Sequence, residues 1–316
     1  MGPCEENSCC WKDSGESPNA AGSDAAGKRA SATGSRPLAD PSTFDHGTPW
    51  KFYNHLIAGI PDGIAVTDYC IGQTWCYVDS DCGMGISHVF TGGAAPRFRD
   101  DPRDFGLAEL AQLSKSWNFA EASLGVAAIN AWYSQKDKVL AMGGQFDEER
   151  GGDEDRGNAF HALEERYAGK KVTVVGHFPN VGRMSQICDL TVLERNCTSS
   201  LDTPDPACEY VIPSQDFVLM TGTTIINKTA PRLLTLAKDA ISVMVGPSTI
   251  SSDFLYKWGL DIMAGSVVVD PENAKFAIKG GSKDVFRAGI KKYYLERPGC
   301  WDGYGETGVM IPGGQR

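Results

Sequence analysis

Short apolar runs alternate with helical segments in the second half of the chain, and this alternation constrains the fold most strongly. Five runs rich in β-branched residues and bounded by turn residues lie at 172–176, 190–193, 217–221, 241–246 and 265–269. Nearly continuous apolar strands separated by helices indicate a parallel sheet that is covered on both faces. Right-handed crossovers between such strands predict a Rossmann-like open α/β sheet.

The first half of the chain carries a different pattern. Two runs of β-branched and aromatic residues, 64–69 and 74–78, flank a glycine-containing turn and predict a hairpin, which a glycine-rich stretch at 83–93 follows. Apolar residues at helical spacing predict helices at 50–60, 106–113 and 118–132. Small residues in the last of these helices predict the close approach of another backbone. We therefore expect a small α+β domain here.

Composition divides the chain into three parts. Residues 1–48 contain few branched aliphatic residues and are predicted to form a disordered tail. A charged, glycine-containing segment at 147–155 has no apolar period and predicts a boundary near residue 150. The expected domains are therefore 49–150 and 151–316, and a length of 316 residues is sufficient for two separate cores.

Charge and hydropathy exclude several classes of partner. The net charge of -10 argues against a protein that grips nucleic-acid phosphates. No apolar run is long enough to span a membrane, and the first thirty residues lack the apolar core of a secretory signal. We therefore expect a cytoplasmic protein with reduced cysteines. Cys70, Cys76 and Cys82 recur every six residues, either as a thiolate site or as small buried side chains.

Polar residues follow the predicted strands at the ends where ligands bind in open α/β sheets. His177 follows the first strand and Glu194 ends the second. The third strand leads into the run TGTTIIN and the fourth into a GPST turn. The candidate ligand-binding residues in these two loops are Thr221, Gly222, Thr223, Thr224, Asn227, Gly246, Pro247, Ser248 and Thr249. The sequence therefore predicts a binding crevice at this edge of the sheet.

Several of these residues have a structural alternative. His177 can serve as an acid, a base, a metal ligand or a structural residue. Glu194 and Glu209 can join it as metal ligands or as acid–base partners, or they can form ion pairs with residues such as Arg195. Asn227 can bind a ligand or cap the following helix. In the first domain, Asn118 and Glu121 are candidates for the opposite wall of the crevice, or they stabilise the start of their own helix.

Motifs of common cofactor sites are missing from the sequence. The first strand is not followed by G-x-G-x-x-G, so NAD or a flavin dinucleotide is not supported. The phosphate-binding motif G-x-x-x-x-G-K-[ST] is also absent, so ATP is not supported. Neither H-E-x-x-H nor C-x-x-C occurs, which argues against the common zinc sites.

Strings from both halves resemble two families that occur in tandem. KKVTVVGHFPNV from Lys170, ACEYVIP from Ala207, TGTTIINKTAPRLLTLAK from Thr221, VGPST from Val245 and GIKKYY from Gly289 resemble the DUF364 family, which is associated with heavy-metal chelation. WKFYNHLIAGIP, IGQTWCYV and WNFAEASLGVAAINA resemble the DUF4213 domain that precedes it. The resemblance implies an enolase N-terminal-like domain, then a Rossmann-like domain, with a cleft between them. It also implies a role with metals or metal-binding small molecules.

Three functional hypotheses follow. The first is binding of a transition metal, or of a metal-chelating small molecule, in the interdomain cleft. The second is an enzyme, a lyase, transferase or hydrolase of metallophore or cofactor metabolism, in which His177 moves protons and Thr221 to Thr224 hold a developing anion. The third is a scaffold without a ligand. A homodimer is the default oligomer because two-fold assemblies are common.

Overall fold

The computed structural model describes residues 48–146 and 159–302, and all of them fall within one compact unit. The predicted tail, except for its last residue, and the predicted boundary segment at 147–155 lie outside the described residues. The division into domains at residue 150 therefore stays a prediction. In the part of the chain that is described, no helix is long and apolar enough to cross a membrane.

Residues 48–146 combine a three-stranded antiparallel sheet with helices. The elements are α1 (Thr48–Ala58), β1 (Val66–Ile71), β2 (Trp75–Ser80), β3 (Gly83–His88), α2 (Leu107–Leu110), α3 (Phe119–Tyr133), α4 (Lys136–Ala141) and β4 (Gln145–Phe146). Short 3₁₀ turns cover Pro102–Asp104 and Ala111–Lys115. The predicted hairpin is confirmed as β1 and β2, and the helices predicted at 50–60 and 118–132 are confirmed as α1 and α3.

In residues 159–302, strands alternate with short helices. The elements are α5 (Ala159–Ala162), α6 (Glu164–Tyr167), β5 (Lys171–Val175), α7 (Val181–Met184), β6 (Asp189–Glu194), β7 (Asp202–Pro204), α8 (Cys208–Val211), β8 (Phe217–Thr221), α9 (Thr223–Ile226), α10 (Ala230–Leu236), β9 (Ile241–Val245), α11 (Phe254–Lys257), β10 (Ile262–Ala264), β11 (Ser266–Val268), α12 (Pro271–Lys279) and β12 (Ile290–Glu296). The first four predicted strands are confirmed as β5, β6, β8 and β9.

The larger sheet is mostly parallel. Its order is β11-β12-β10-β9-β8-β5-β6-β7, and β4 pairs with β12. The pairs from β7 through to β10 are parallel, whereas β12 runs antiparallel to β10, β11 and β4. A mixed α/β fold with a largely parallel sheet is therefore confirmed.

The fifth predicted strand, at 265–269, is present as β11, but it does not extend the parallel series as predicted. A separate short strand, β10, precedes it, and Gly265 lies between the two. A Cβ atom on Gly265 would lie 2.4 Å from the Tyr293 hydroxyl oxygen, so a larger residue would displace the tyrosine. β10 continues the parallel sheet beside β9, while β11 pairs with β12 instead.

The order of the strands positions the functional site. From β5 the chain moves outward through β6 and β7, then returns to the other side of β5 to form β8, β9 and β10. Loops that leave the carboxyl ends of β5 and β8 therefore lead in opposite directions. In open α/β sheets such a reversal opens a crevice in which ligands bind.

The first segment, residues 48–146, and the second segment, residues 159–302, share buried contacts. One hydrophobic cluster includes Phe52 of α1 and Leu124 of α3 together with Val218 of β8. The hydroxyl of Tyr53 donates a hydrogen bond of 2.7 Å to the carbonyl oxygen of Ile225. Because both segments contribute to this cluster, the first segment covers part of the larger sheet and its loops.

Candidate functional site

A cavity of about 160 Å³ lies at the carboxyl ends of β5, β6 and β8. Its polar lining comprises Glu194, Arg195, Asp205, Thr221, Thr223, Thr224, Asn227, Thr229 and Arg232. A cavity of similar volume, about 150 Å³, admits benzene in another protein, so this one can enclose roughly six to ten non-hydrogen atoms. The site is therefore suited to a small molecule or to one end of a larger one.

The loop after β8 supplies the hydroxyl groups of the cavity. The hydroxyl oxygens of Thr221 and Thr223 are 3.1 Å apart, and the Thr224 hydroxyl donates to the Thr221 carbonyl oxygen at 2.7 Å. Gly222 is needed for packing, because a Cβ atom there would lie 2.6 Å from the backbone nitrogen of Thr249. Thr221, Thr223 and Thr224 thus line the cavity, whereas Gly222 contacts a neighbouring loop. The contact of these four residues with a ligand stays a prediction.

Asn227 lines the cavity and also holds the start of the next helix. Its Oδ1 accepts hydrogen bonds from the backbone nitrogen and the hydroxyl of Thr229, at 3.1 and 2.6 Å. Thr229 is the residue that precedes α10. Both roles considered for Asn227 are therefore compatible with its position.

Two arginines at the cavity are each paired with an acid. Arg195 Nε donates to Asp205 Oδ2 at 3.2 Å, and Arg232 Nε donates to Glu209 Oε1 at 2.8 Å. Arg232 also bonds Glu209 through Nη2, and these hydrogen bonds lower the pKa of the Glu209 carboxyl. Glu209 therefore forms the ion pair considered for it from the sequence, although with Arg232. The sequence did not point to Arg232 or Asp205, because their acid–base pairings join residues distant in sequence.

Glu194 is held by the backbone around it. Its Oε1 accepts from the backbone nitrogens of Arg195 and Asn196, at 2.7 and 3.2 Å. Its Oε2 accepts from the backbone nitrogen of His177 at 2.9 Å. The carboxylate thus joins the turn after β6 to the turn after β5 at the edge of the cavity.

His177 forms a pair with Asp202, a residue that sequence reasoning missed. The imidazole Nδ1 lies 2.8 Å from Asp202 Oδ1, and the side chain of Asp202 is 0% exposed while that of His177 is 39% exposed. The other carboxylate oxygen accepts from the backbone nitrogens of Thr198 and Ser199, each at 2.8 Å. The Thr198 bond, followed by the Ser199 and His177 bonds, lowers the pKa of Asp202.

A bare metal ion does not fit this set of donors. Within 48–146 and 159–302, no group of three or more His, Cys, Asp or Glu side chains is placed to hold a metal. His177 pairs with Asp202, Glu194 with backbone nitrogens and Glu209 with Arg232. The three candidate ligands are therefore not assembled into one site.

Asn118 and Glu121 organise the start of α3. Asn118 Oδ1 accepts from the backbone nitrogen of Glu121 at 3.0 Å, which caps the helix. Glu121 Oε1 accepts from the backbone nitrogens of Arg97 and Phe98, at 2.6 and 2.8 Å. Neither side chain belongs to the cavity lining, to which Phe90 of this segment does belong. Their contact with a ligand stays a prediction.

The GPST turn after β9 packs against the first segment. Ser248 is 1% exposed, and its hydroxyl accepts from the backbone nitrogen of His88 at 2.9 Å. The carbonyl oxygen of Pro247 accepts from Asn130 Nδ2 at 3.1 Å, and Thr249 is buried. Gly246 adopts a φ of 106°, which favours glycine. None of these four residues lines the cavity, so their predicted ligand contact also stays a prediction.

Lys228 lies between two cavity residues and was not recognised from the sequence. Its Nζ donates to the carbonyl oxygen of Ile226 at 2.7 Å and also to that of Ser116 in the first segment. Burial lowers its pKa to about 7, although the charge of Glu121 acts in the opposite direction. Lys228 therefore bridges the wall of the cavity and the turn before α3.

The recurring cysteines occupy the smaller sheet and its turn. Cys76 is buried in β2, and Cys82 Sγ lies 3.6 Å from the carbonyl oxygen of Ala131. Burial raises the pKa of Cys70 and of Cys76, which disfavours the thiolate form. These surroundings favour small packed side chains over a thiolate site.

Comparisons with known proteins match two family models, one in each half of the chain. The model of DUF364, described as "Putative heavy-metal chelation", matches residues 158–296, and that of DUF4213, with the same description, matches residues 53–133. An uncharacterized protein of Methanocaldococcus jannaschii is 31% identical over 198 residues, which cover 60% of this chain and 71% of that protein.

Two crystal structures of DUF364 proteins of unknown function are similar in fold. The one from Desulfitobacterium hafniense has a TM-score of 0.70 and 33% identity, covering 78% of this chain and 98% of that chain. The one from Pyrococcus horikoshii has a TM-score of 0.60 and 20% identity, covering 79% and 98% respectively, which shows likeness of fold alone. This chain belongs to the DUF364 family, with a DUF4213 segment before its DUF364 segment.

Proposed function

We propose that this protein binds a small, anionic, metal-chelating molecule in the cavity at the ends of β5, β6 and β8. The observation that carries the proposal is a surplus of hydrogen-bond donors in the cavity wall. Among the described residues, the terminal guanidinium nitrogens of Arg195 make no hydrogen bond, whereas the carboxylate of Glu194 already accepts three. A ligand rich in acceptors would complete this arrangement.

The charge of the arginines favours an anion. Guanidinium groups bind carboxylates and phosphates through charge-assisted hydrogen bonds, often with two parallel bonds. The threonine hydroxyls and Asn227 add neutral polar groups that can orient such a ligand. A bare cation would meet the positive charge of Arg195 and Arg232. The carboxylates nearby are already engaged, because Asp205 and Glu209 pair with these arginines and Glu194 accepts from backbone nitrogens.

A chelating ligand agrees both with the hydrogen-bond donors of the cavity lining and with the family description. Carboxylate-rich chelators carry their own metal ligands, so the protein needs to recognise only the anionic groups. The proposal includes a Rossmann-like second domain and an enolase N-terminal-like first domain, with the cavity in the cleft between 49–150 and 151–316. The lining residue Phe90 supports a contribution from the first domain. The proposal also includes a cytoplasmic location and a homodimer, with no nucleic-acid partner.

Calorimetric titration tests the proposal. We expect metal-free iminodiacetate or citrate to bind, and ethylenediamine, which is cationic, not to bind. Arg232→Gln should weaken anion binding by at least about tenfold, because a hydrogen bond to a charged group contributes about 1.5–3 kcal/mol. Arg103→Gln is the matched control, since Arg103 forms an ion pair with Asp101 away from the cavity lining. Equal binding of the anions by the Arg232 variant and wild type would contradict the proposal.

The His177–Asp202 pair favours an enzyme as the second candidate function. An imidazole held by a carboxylate is a common arrangement for proton transfer. In that case a small metabolite bound near Thr221 to Thr224 would be converted by a lyase, transferase or hydrolase reaction. Mass spectrometry of metabolite mixtures would detect the product, and His177→Gln would abolish its formation while anion binding remains.

A further inference from the structure

We infer that His177, oriented by Asp202, supplies a nitrogen ligand to a metal ion that reaches the crevice within an anionic chelate. This inference rests on the proposed function and goes beyond it, because it assigns a direct contact between the protein and the metal. The metal is cargo of the bound molecule, and the protein contributes one ligand to it.

The pairing with Asp202 determines which imidazole nitrogen is available. The carboxylate of Asp202 is fully shielded and held by two backbone N–H groups, which stabilise its charged form. A carboxylate is an acceptor only, so the Nδ1 of His177 at 2.8 Å must carry the proton of a neutral imidazole. The lone pair of Nε2 is then free to bind a metal.

The position of His177 agrees with this role. His177 follows Gly176, which lines the cavity, and its backbone nitrogen bonds Glu194, which also lines it. Among the described residues, no hydrogen bond involves Nε2, and 39% of the side chain is exposed. Histidines that bind metals usually donate their other N–H group to a carboxylate or a carbonyl group, as His177 does to Asp202.

A chelate fits this site better than a free ion. One imidazole does not hold a transition metal alone, and no group of three or more His, Cys, Asp or Glu side chains in the described segments is placed to hold a metal. Carboxylates of a chelator would supply the remaining metal ligands. The same carboxylates would bond to Arg195 or Arg232, which line the cavity.

Electron paramagnetic resonance with Cu(II)–iminodiacetate tests the inference. This complex leaves one equatorial position of copper open for an imidazole. An equimolar ratio of chelator to copper preserves that open position and keeps metal-free chelator from competing for the cavity. We expect the wild-type spectrum to show an added nitrogen ligand. We also expect the dissociation constant to be at least about tenfold lower for the copper complex than for metal-free iminodiacetate.

Variants separate His177 from other histidines. His177→Ala should remove the added nitrogen signal and the tighter binding of the copper complex, while metal-free iminodiacetate binds as to wild type. Asp202→Asn should weaken binding of the copper complex by about tenfold, because loss of the oriented N–H acceptor has this typical effect. His55→Ala is the control, since His55 is an exposed imidazole that stacks on Phe254. Melting temperatures of all variants report whether they fold.

The outcomes separate the inference from the proposed function. If both forms of the chelator bind wild type equally, or the tighter binding of the copper complex persists in His177→Ala and in the folded His177→Gln, the inference is overturned while the proposed function stands. If the copper complex binds through His177 but Arg232→Gln has no effect, the chelate lies outside the crevice and the inference is also overturned. If neither form binds, both the proposed function and the inference fail.

Discussion

Lys228 combines three features that are unusual for a lysine. Its φ of 69° lies in the left-handed region, which side chains with a Cβ atom rarely adopt. Its amine is largely buried, and it donates to the backbone carbonyl groups of Ser116 and Ile226. Strained residues of this kind often lie at functional sites, and Lys228 lies between the cavity residues Asn227 and Thr229.

The buried amine should make stability depend on pH. Burial lowers the pKa of Lys228 to about 7 in the folded chain, while an unfolded lysine titrates near about 10.4. Between these values the unfolded chain holds one more proton, so the free energy of unfolding rises with pH, by up to about 1.4 kcal/mol per unit. Below pH 7 the amine is charged in both states and this gain is lost.

Urea unfolding of wild type and Lys228→Met from pH 7 to pH 9 measures this effect. The difference in free energy between the two proteins should change with pH in favour of wild type, because Lys228→Met lacks the titrating amine. Other groups that titrate in this range, such as the cysteines, contribute to both proteins and cancel. A constant difference across the range would show that the amine keeps its ordinary pKa.

Among single residues, sequence reasoning identified those that one loop brings to the cavity. It missed those whose role depends on a partner distant in the chain. Thr221, Thr223 and Asn227 were identified because one strand end presents them together. Asp202 was missed because its role arises only when the fold brings it to His177, which lies 25 residues earlier in the chain. No local spacing rule identifies such a pair.

The packing of α3 depends on a glycine in the neighbouring strand β3 and on a glycine within the helix itself. A Cβ atom on Gly85 of β3 would lie 2.1 Å from the backbone nitrogen of Ala131, and one on Gly125 would lie 2.0 Å from that of Ser114. The close backbone approach predicted for this helix is therefore confirmed. It also explains why β3 was missed: its glycines resemble those of a loop, although Gly85 is required for contact between strand and helix.

Alanine at Gly125 should destabilise the protein strongly. The added methyl group would overlap the backbone of the 3₁₀ turn Ala111–Lys115, which has no flexible side chain to move aside. We expect the free energy of unfolding to fall by about 3 kcal/mol or more in urea denaturation.

Gly182→Ala is the matched control for this substitution. Gly182 also lies in a helix, α7, but a Cβ atom there would have no neighbour within 4 Å. Stability should stay unchanged or rise by up to about 1 kcal/mol, because alanine reduces the freedom of the unfolded chain. Similar losses in both variants would mean that the approach of α3 to the turn is not tight.

Elements with a regular pattern were predicted better than elements that depend on pairing. β5, β6, β8 and β9 each bury a continuous apolar run, and this is visible in the sequence. β7 has three residues and β4 has two, and they are strands only because β6 and β12 lie beside them. The division into β10 and β11 likewise depends on the partner strand β12.

Across the whole molecule, a buried polar network joins the two segments. Asn130 of α3 is 1% exposed, and its Nδ2 donates to the carbonyl oxygens of Ile86 and Pro247, at 2.9 and 3.1 Å. Its Oδ1 accepts from the hydroxyl of Ser134 at 2.9 Å, and the backbone nitrogen of Ser251 bonds that hydroxyl. Buried hydrogen bonds of this kind couple the smaller sheet to the loop after β9.

This network, together with the shared hydrophobic cluster, should make the two segments unfold together. Native-state hydrogen exchange would measure the opening free energy of peptides from β2 and from β9 separately. We expect equal values in wild type. Asn130→Ala should lower both by the same amount, about 2–4 kcal/mol, because it leaves buried carbonyl groups without a donor.

Asn196→Ala provides the control, since Asn196 is exposed in the turn after β6 and should change stability by less than about 0.5 kcal/mol. Unequal opening free energies for β2 and β9 would mean that the segments unfold independently. A loss confined to β2 in Asn130→Ala would lead to the same conclusion. In either case the first segment could open while the larger sheet stays folded, which would expose Phe90 and widen access to the cavity.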